Sequence, residues 1–149
     1  MDRTDKIKEI LKRKGRQVWS IAPDRLVYEA LELMAEKNCG ALLVISEDIL
    51  VGIFSERDYA RKVILKGKGS KETLVRDIMT SSVVSVDPEN TVDECMRLMT
   101  EGRLRHLPVV ENGKVAGLVS IGDLVNWVIS AQEESIHQLH DYIVGKYPG

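Results

Sequence analysis

The sequence is poor in aromatic residues: 5% of its 149 positions are Phe, Trp or Tyr, and there is a single Phe. Its core must therefore be aliphatic, and a nucleic-acid reader built on stacked aromatic platforms is disfavoured. An excess of charge of one sign is also missing. With 21 Lys+Arg against 23 Asp+Glu, the net charge of -2 supplies no global basic field for a polyanion. Local positive clusters and small anionic ligands stay in play. Cysteine is scarce: Cys39 and Cys95 lie far apart in apolar contexts with no CxxC spacing, which reads as buried reduced thiols. No apolar run is long enough to cross a bilayer, and the opening stretch from Met1 to Gly15 is charged throughout. The expectation is a cytoplasmic protein with no membrane association.

Catalytic motifs are equally sparse. There is no GxSxG elbow, HExxH helix or GxxxxGK[ST] loop, and Gly67 and Gly69 lack the third glycine of a dinucleotide fingerprint because position 72 is Glu. His137 and His140 sit three residues apart beside Asp141, but no third metal ligand is evident, and a solvated helix face is the better reading. Neither a nucleophile nor a metal is expected, so the protein is read as a non-enzyme. The basic residues Lys6, Lys8, Lys12, Arg13, Lys14 and Arg16 read as a solvated amphipathic helix rather than a nucleic-acid contact.

What the sequence does contain is an internal repeat. Hydrophobic residues at 44% and charged residues at 30% are an ordinary globular mixture, and the length suits one domain. Laying Val18 to Ile64 over Val83 to Ile129, at a constant offset of 65 and without gaps, makes about a third of the pairs identical. Ser20 meets Ser85, Pro23 meets Pro88, Gly52 meets Gly117, Ser55 meets Ser120 and Asp58 meets Asp123. The chain divides into an arm (1–17), copy one (18–64), a linker (65–82), copy two (83–129) and a helical tail (130–149). Two copies are too few for a solenoid, so they are expected to pack face to face about a pseudo-twofold axis.

Within each copy, Val27, Ala30, Leu31 and Met34, and likewise Val92, Cys95, Met96 and Met99, recur at helical spacing just beyond a proline. Thr91 and Glu94 suit a capping box. Two short apolar runs follow, separated by Ser46-Glu47-Asp48 in one copy and Glu111-Asn112-Gly113 in the other, and each reads as a β-hairpin. A second helix begins after Ser55 and Ser120. The fold class is thus α/β (α+β), with two β-α-β-β-α repeats. Val75 to Met79 is read as entering the strand that opens copy two, and residues 4–13 as a short basic helix with Ile7, Ile10 and Leu11 on one face.

The recurring motif with chemical content is Ser-x-x-Asp, as Ser55-Glu56-Arg57-Asp58 and Ser120-Ile121-Gly122-Asp123, placed where a strand hands over to a helix. Either motif alone suits a capping box. The same geometry suits a ligand, because a helix amino terminus favours phosphate and an Asp carboxylate accepts hydrogen bonds from both hydroxyls of a ribose. Arg57 and Arg61, one turn apart, offer charge-assisted forks, and Arg105-His106 offer comparable donors in copy two.

These residues resemble a tandem pair of CBS (cystathionine-β-synthase) domains. The resemblance spans residues 18–129 and rests on the doubled element order, Arg105-His106-Leu107-Pro108-Val109-Val110, the runs from Gly52 to Asp58 and from Gly117 to Asp123, and Asp77-Ile78-Met79-Thr80 before copy two. It implies a stand-alone regulatory module, of the energy- or redox-sensing kind, with a central cleft that binds adenine nucleotides: AMP, ADP, ATP, sometimes NAD, or S-adenosylmethionine. It implies ribose contacts at Asp58 and Asp123, hydroxyl ligands at Ser55 and Ser120, and phosphate contacts at Arg105 and His106. Met79, Thr80 and Val83 match the segment flanking the adenine in one cleft, with Gln17 and Val18 as equivalents in the other, and Ile53 and Leu118 offer faces for the base. A homodimer acting on an unidentified target protein is implied too. Copy one has Gly40-Ala41 where copy two has Arg105-His106, and copy two has Gly122 where copy one has Arg57, so the two clefts are expected to differ. The alternative is a ligand-free dimerisation or scaffold module in which both motifs are only caps.

Overall fold

The computed structural model describes residues 3–143, with side chains as far as Glu133. The arm forms helix α1 (Ile7–Lys14). Copy one runs β1 (Ser20–Ile21), α2 (Val27–Lys37), β2 (Ala41–Ser46), β3 (Ile49–Ser55) and α3 (Glu56–Tyr59), the last continued by a π-helical turn over Ala60–Ile64. After the linker helix α4 (Val75–Ile78), copy two runs α5 (Val92–Gly102), β4 (His106–Glu111), β5 (Lys114–Ser120) and α6 (Ile121–Ile143). Among the described residues, no helix is long and apolar enough to cross a membrane.

The offset of 65 survives in atomic detail. Ala41 pairs with Ser55 and Val44 with Gly52 in copy one, as His106 pairs with Ser120 and Val109 with Gly117 in copy two, and both ladders shift register at the following residue. Glu47 and Asp48 both have positive φ, as do Asn112 and Gly113, so each hairpin closes through a two-residue turn of the mirror-image type. Thr91 accepts from the Glu94 N–H at 3.1 Å and donates its own N–H to Glu94 at 3.0 Å, completing the expected box.

Two expectations need correction. Copy two has no opening strand beyond one parallel bridge, Val86 to Val109. In copy one the Leu43 N–H donates to the Trp19 carbonyl at 3.1 Å. The residue equivalent to Leu43 is Pro108, which has no N–H to give, and the ladder stops there. Val75 to Met79 is also not a strand. Val75–Ile78 is a helical turn that buries Val75 and Ile78, three apart, a spacing that puts both on one helix face.

The core is divided into two clusters, and the segments before the copies are exchanged between them. Ile7, Ile10 and Leu11 of the arm pack with Val92, Leu107 and Leu124 of copy two. Val75 and Ile78 of the linker pack with Val27, Leu42 and Phe54 of copy one. The exchange is held by backbone bonds: Ile7 N–H to Asn90 O and Val92 N–H to Asp5 O on one side, Val75 N–H to Arg25 O and Val27 N–H to Thr73 O on the other. Phe54, with no exposed surface, contributes on the order of 1.5–3 kcal/mol by burial. The basic arm is tied down by charge: Lys6 and Lys8 reach Glu89 at 2.6 and 2.9 Å, and Arg13 lies over the Trp127 ring.

Candidate functional site

A cleft of about 480 Å³ opens between the copies, within the range of small-molecule sites. Copy one supplies Gly40, Ile53, Ser55, Glu56, Arg57, Asp58, Arg61 and Lys62; the linker supplies Thr80; and copy two supplies the turn from Gly102 to His106. Of the residues singled out in the sequence, Ile53, Ser55, Arg57, Asp58, Arg61, Thr80, Arg105 and His106 are brought together here. Met79 packs on the copy-one core beside it. Val83 and Val18 are half-buried and Gln17 is exposed, and none of the three lines this cleft.

Asp58 is 8% exposed and is held on every side. Its Oδ2 accepts from the Ser55 N–H at 3.0 Å and the Ser55 hydroxyl at 3.1 Å, while its own N–H donates to Ser55 Oγ at 3.2 Å. The first Ser-x-x-Asp motif is therefore a completed capping box. Oδ1 accepts from the Thr80 hydroxyl at 3.1 Å and meets Lys62 Nζ at 3.1 Å. Thr80 reaches it because its N–H and carbonyl both bond Ile53 at 2.9 Å, and Gly52 makes that crossing possible. A methyl group added at Gly52 would stand 2.5 Å from Met79 Sδ and 3.1 Å from the Thr80 carbonyl.

Positive charge dominates the cleft. Arg57, Arg61, Lys62, Arg103 and Arg105 face Glu56 and Asp58. Lys62 takes Asp58 and Arg57 donates to the Arg103 carbonyl at 3.3 Å, whereas none of the four arginines has a carboxylate partner among the described residues. Arg103 has φ 53, a left-handed conformation that costs an L-residue on the order of 1–2 kcal/mol. Copy one has Asn38 at that helix end, also at φ 53, where asparagine is at home. His106 is half-buried, and burial together with the Lys14 and Arg105 charges lowers its pKa below the usual histidine value.

The second motif is also a completed box: Ser120 N–H to Asp123 Oδ2 at 2.8 Å, Asp123 N–H to Ser120 Oγ at 3.2 Å. Its surroundings differ. Lys14 lies at Asp123, with Nζ 2.6 Å from Asp123 Oδ2 and 2.7 Å from the Leu118 carbonyl, and neither Gln17 nor Val18 lines the cavity that contains Asp123. Sequence reasoning missed Lys62, Arg103 and Lys14. Only Lys62 had a signal, lying one turn beyond Asp58.

Outside the clefts, Cys95 is buried and its thiol is pushed up to about 12 by burial, and half-buried Cys39 is raised for the same reason. No cluster of metal-ligating side chains occurs among the described residues; the His137, His140 and Asp141 side chains lie outside them.

Two copies of one unit, a cleft between them and a Ser-x-x-Asp motif at each helix start define a tandem-pair module. The chain belongs to the CBS-domain family, whose model matches residues 7–65 and 75–130, each match taking in the segment that precedes a copy. CBS domain-containing protein CBSX3, mitochondrial, of Arabidopsis thaliana is 40% identical over 151 residues, 95% of this chain and 73% of that protein. Its name assigns that relative to mitochondria. The solved structure of a protein with CBS domains from Burkholderia ambifaria MC40-6 is 51% identical, with a TM-score of 0.83 over 86% of this chain and 96% of that one. The CBS domain pair of protein MJ0100, solved in complex with 5′-methylthioadenosine and S-adenosyl-L-methionine, shares the fold at 24% identity and a TM-score of 0.75, over 86% of this chain and 98% of that one.

Proposed function

We propose that the chain is a regulatory module that binds an adenine nucleotide, of the AMP, ADP, ATP or NAD type, in the cleft around Asp58. The ribose hydroxyls meet Asp58 and Thr80, the base lies against Ile53, and the phosphates lie among the arginines. The observation that carries this reading is the set of four arginines, drawn from both copies, with no carboxylate partner among the described residues. Five cations against the two carboxylates of Glu56 and Asp58 leave an excess of positive charge in the cleft, and a polyphosphate relieves that excess through charge-assisted forks. MJ0100 holds two adenosine compounds on the same fold. The arginine excess favours an anionic adenosine compound over the sulfonium cation of S-adenosylmethionine.

Because the arginines come from both copies, a bound phosphate draws copy two toward copy one. Such a ligand regulates by binding two arrangements of the module with different affinity. The signal passes to a partner protein, or through a homodimer in which exposed apolar residues such as Ile64, Leu65, Val125 and Ile129 are covered. The scaffold reading rests on a specific observation too, since both Ser-x-x-Asp motifs are complete caps. A thermal-shift panel separates the two. Ligand at a hundred times its dissociation constant adds about 2.7 kcal/mol, or roughly 5–10 °C for a domain of this size. The nucleotide reading expects that rise with AMP, ADP, ATP or NAD; no rise with any of them at millimolar concentration leaves the scaffold reading.

A further inference from the structure

Resting on the reading of the Asp58 cleft, we infer that the second cleft is closed by the chain itself: the Lys14 ammonium occupies the ligand position at Asp123, so the protein takes one nucleoside ligand and not two. The plug arises from a difference in length. Ile7, Ile10 and Leu11 of the arm play the part that Val75, Ile78 and Met79 play in the linker, and these segments are related by 68 residues while the copies are related by 65. The three extra residues are close to one helical turn. α4 accordingly stops at Ile78 and releases Thr80 to pair with Ile53, whereas α1 runs on to Lys14.

The consequence is read at two equivalent acceptors. In copy one the Ile53 carbonyl takes the Thr80 N–H, and the Asp58 carboxylate lines the open cleft. In copy two the Leu118 carbonyl and the Asp123 carboxylate are both taken by the one Lys14 ammonium, at 2.7 and 2.6 Å. Lys62 also meets Asp58, but its second bond goes to the Ile78 carbonyl at 3.1 Å and not to the Ile53 carbonyl, and Asp58 still lines the cleft. The cavity that contains Asp123 is only about 160 Å³, is lined by Lys14 itself, and contains no residue of copy one. A ligand entering it must break the ion pair and strip the Leu118 carbonyl of its donor. Phosphate also has fewer partners here: the positions equivalent to Arg57, Arg61, Arg103 and Arg105 are Gly122, Asn126, Asn38 and Gly40, and Arg13, which lines this cavity, lies over the Trp127 ring.

The test is equilibrium dialysis of the full chain with adenosine as the probe, uncharged because the second cleft lacks the arginines. The unsubstituted protein is expected to bind one equivalent. Lys14→Met and Lys14→Gln, at a side chain 36% exposed, are expected to bind two, and adding Asp123→Asn to Lys14→Met to return the count to one. Two equivalents on the unsubstituted chain, or no equivalent gained by either Lys14 variant, overturns the inference. If the unsubstituted chain binds no adenosine, ATP tests the reading of the Asp58 cleft separately, and the Lys14 variants still decide the plug: one equivalent gained supports it, none overturns it.

Discussion

Thr80 Oγ1 donates to Asp58 Oδ1 at 3.1 Å across 22 residues of sequence, joining the linker before copy two to the helix start of copy one. The Asp58 carboxylate is thereby aimed by a segment that belongs to neither repeat as the sequence divides them. Thr80→Val keeps the shape and removes the hydroxyl. It is expected to cost about 1 kcal/mol of stability in denaturant unfolding and to weaken ATP binding by roughly tenfold, because a ribose contact and the orientation of Asp58 are lost together. Unchanged affinity in a titration would remove Thr80 from the site.

Arg103 holds a left-handed backbone at the edge of the cleft, where copy one uses Asn38. Arg103→Asn is expected to raise stability by about 0.5–1 kcal/mol, since asparagine tolerates that conformation. The same variant is expected to bind ATP more weakly. Melting temperature and affinity moving in opposite directions is the signature to look for; a stabilised variant with undiminished affinity means the arginine serves another purpose.

Gly52 and Gly117 match in the repeat for a steric reason. A methyl group at Gly52 meets Met79, and one at Gly117 would stand 2.7 Å from Leu11 Cδ2. Each alanine variant overpacks its own contact and is expected to cost about 1–3 kcal/mol. Their effects on ligand binding separate them. Gly52→Ala displaces the Met79–Thr80 crossing and lowers affinity at the Asp58 cleft, while Gly117→Ala pushes on the arm and leaves that affinity nearly unchanged.

His106 carries a pH dependence of definite sign. Its pKa is lowered in the folded protein by burial and then by the Lys14 and Arg105 charges, so the unfolded chain binds the proton more readily. Its share of stability is complete above the ordinary value of about 6.5 and declines as the pH falls from there through the folded value. Denaturant midpoints of the parent protein should therefore drop between pH 7 and 5 by more than those of His106→Gln. A phosphate in the cleft counters the arginine charge, so bound ATP is expected to raise the His106 midpoint in an NMR titration. A midpoint that stays put places the phosphate elsewhere.

Much of this architecture is legible in the sequence because the repeat fixes it twice. The hairpins, the Thr91 box and the positions of Ser55 and Asp58 follow from period, turn chemistry and a constant offset. The exchange of arm and linker does not, because their relation of 68 residues breaks that offset and α1 and α4 share little beyond the apolar spacing of Ile7, Ile10 and Leu11 with Val75, Ile78 and Met79. The failed strand at Ser85–Val86, the equivalent of β1, was written in Pro108, but only the partner strand reveals which hydrogen bond a proline there deletes. Lys14 and Arg103 were illegible for a similar reason: charged residues on helix ends read as solvated until the fold supplies a carboxylate or a cleft to face.

The most direct test of the central claim is a calorimetric titration of ATP into the parent protein and into Asp58→Asn, with unfolding measured in parallel. Losing the cap carboxylate is expected to cost about 1 kcal/mol of stability and leave a folded module. The account predicts one ATP per parent chain and no measurable binding by the folded variant. Equal affinity in the two proteins would contradict it.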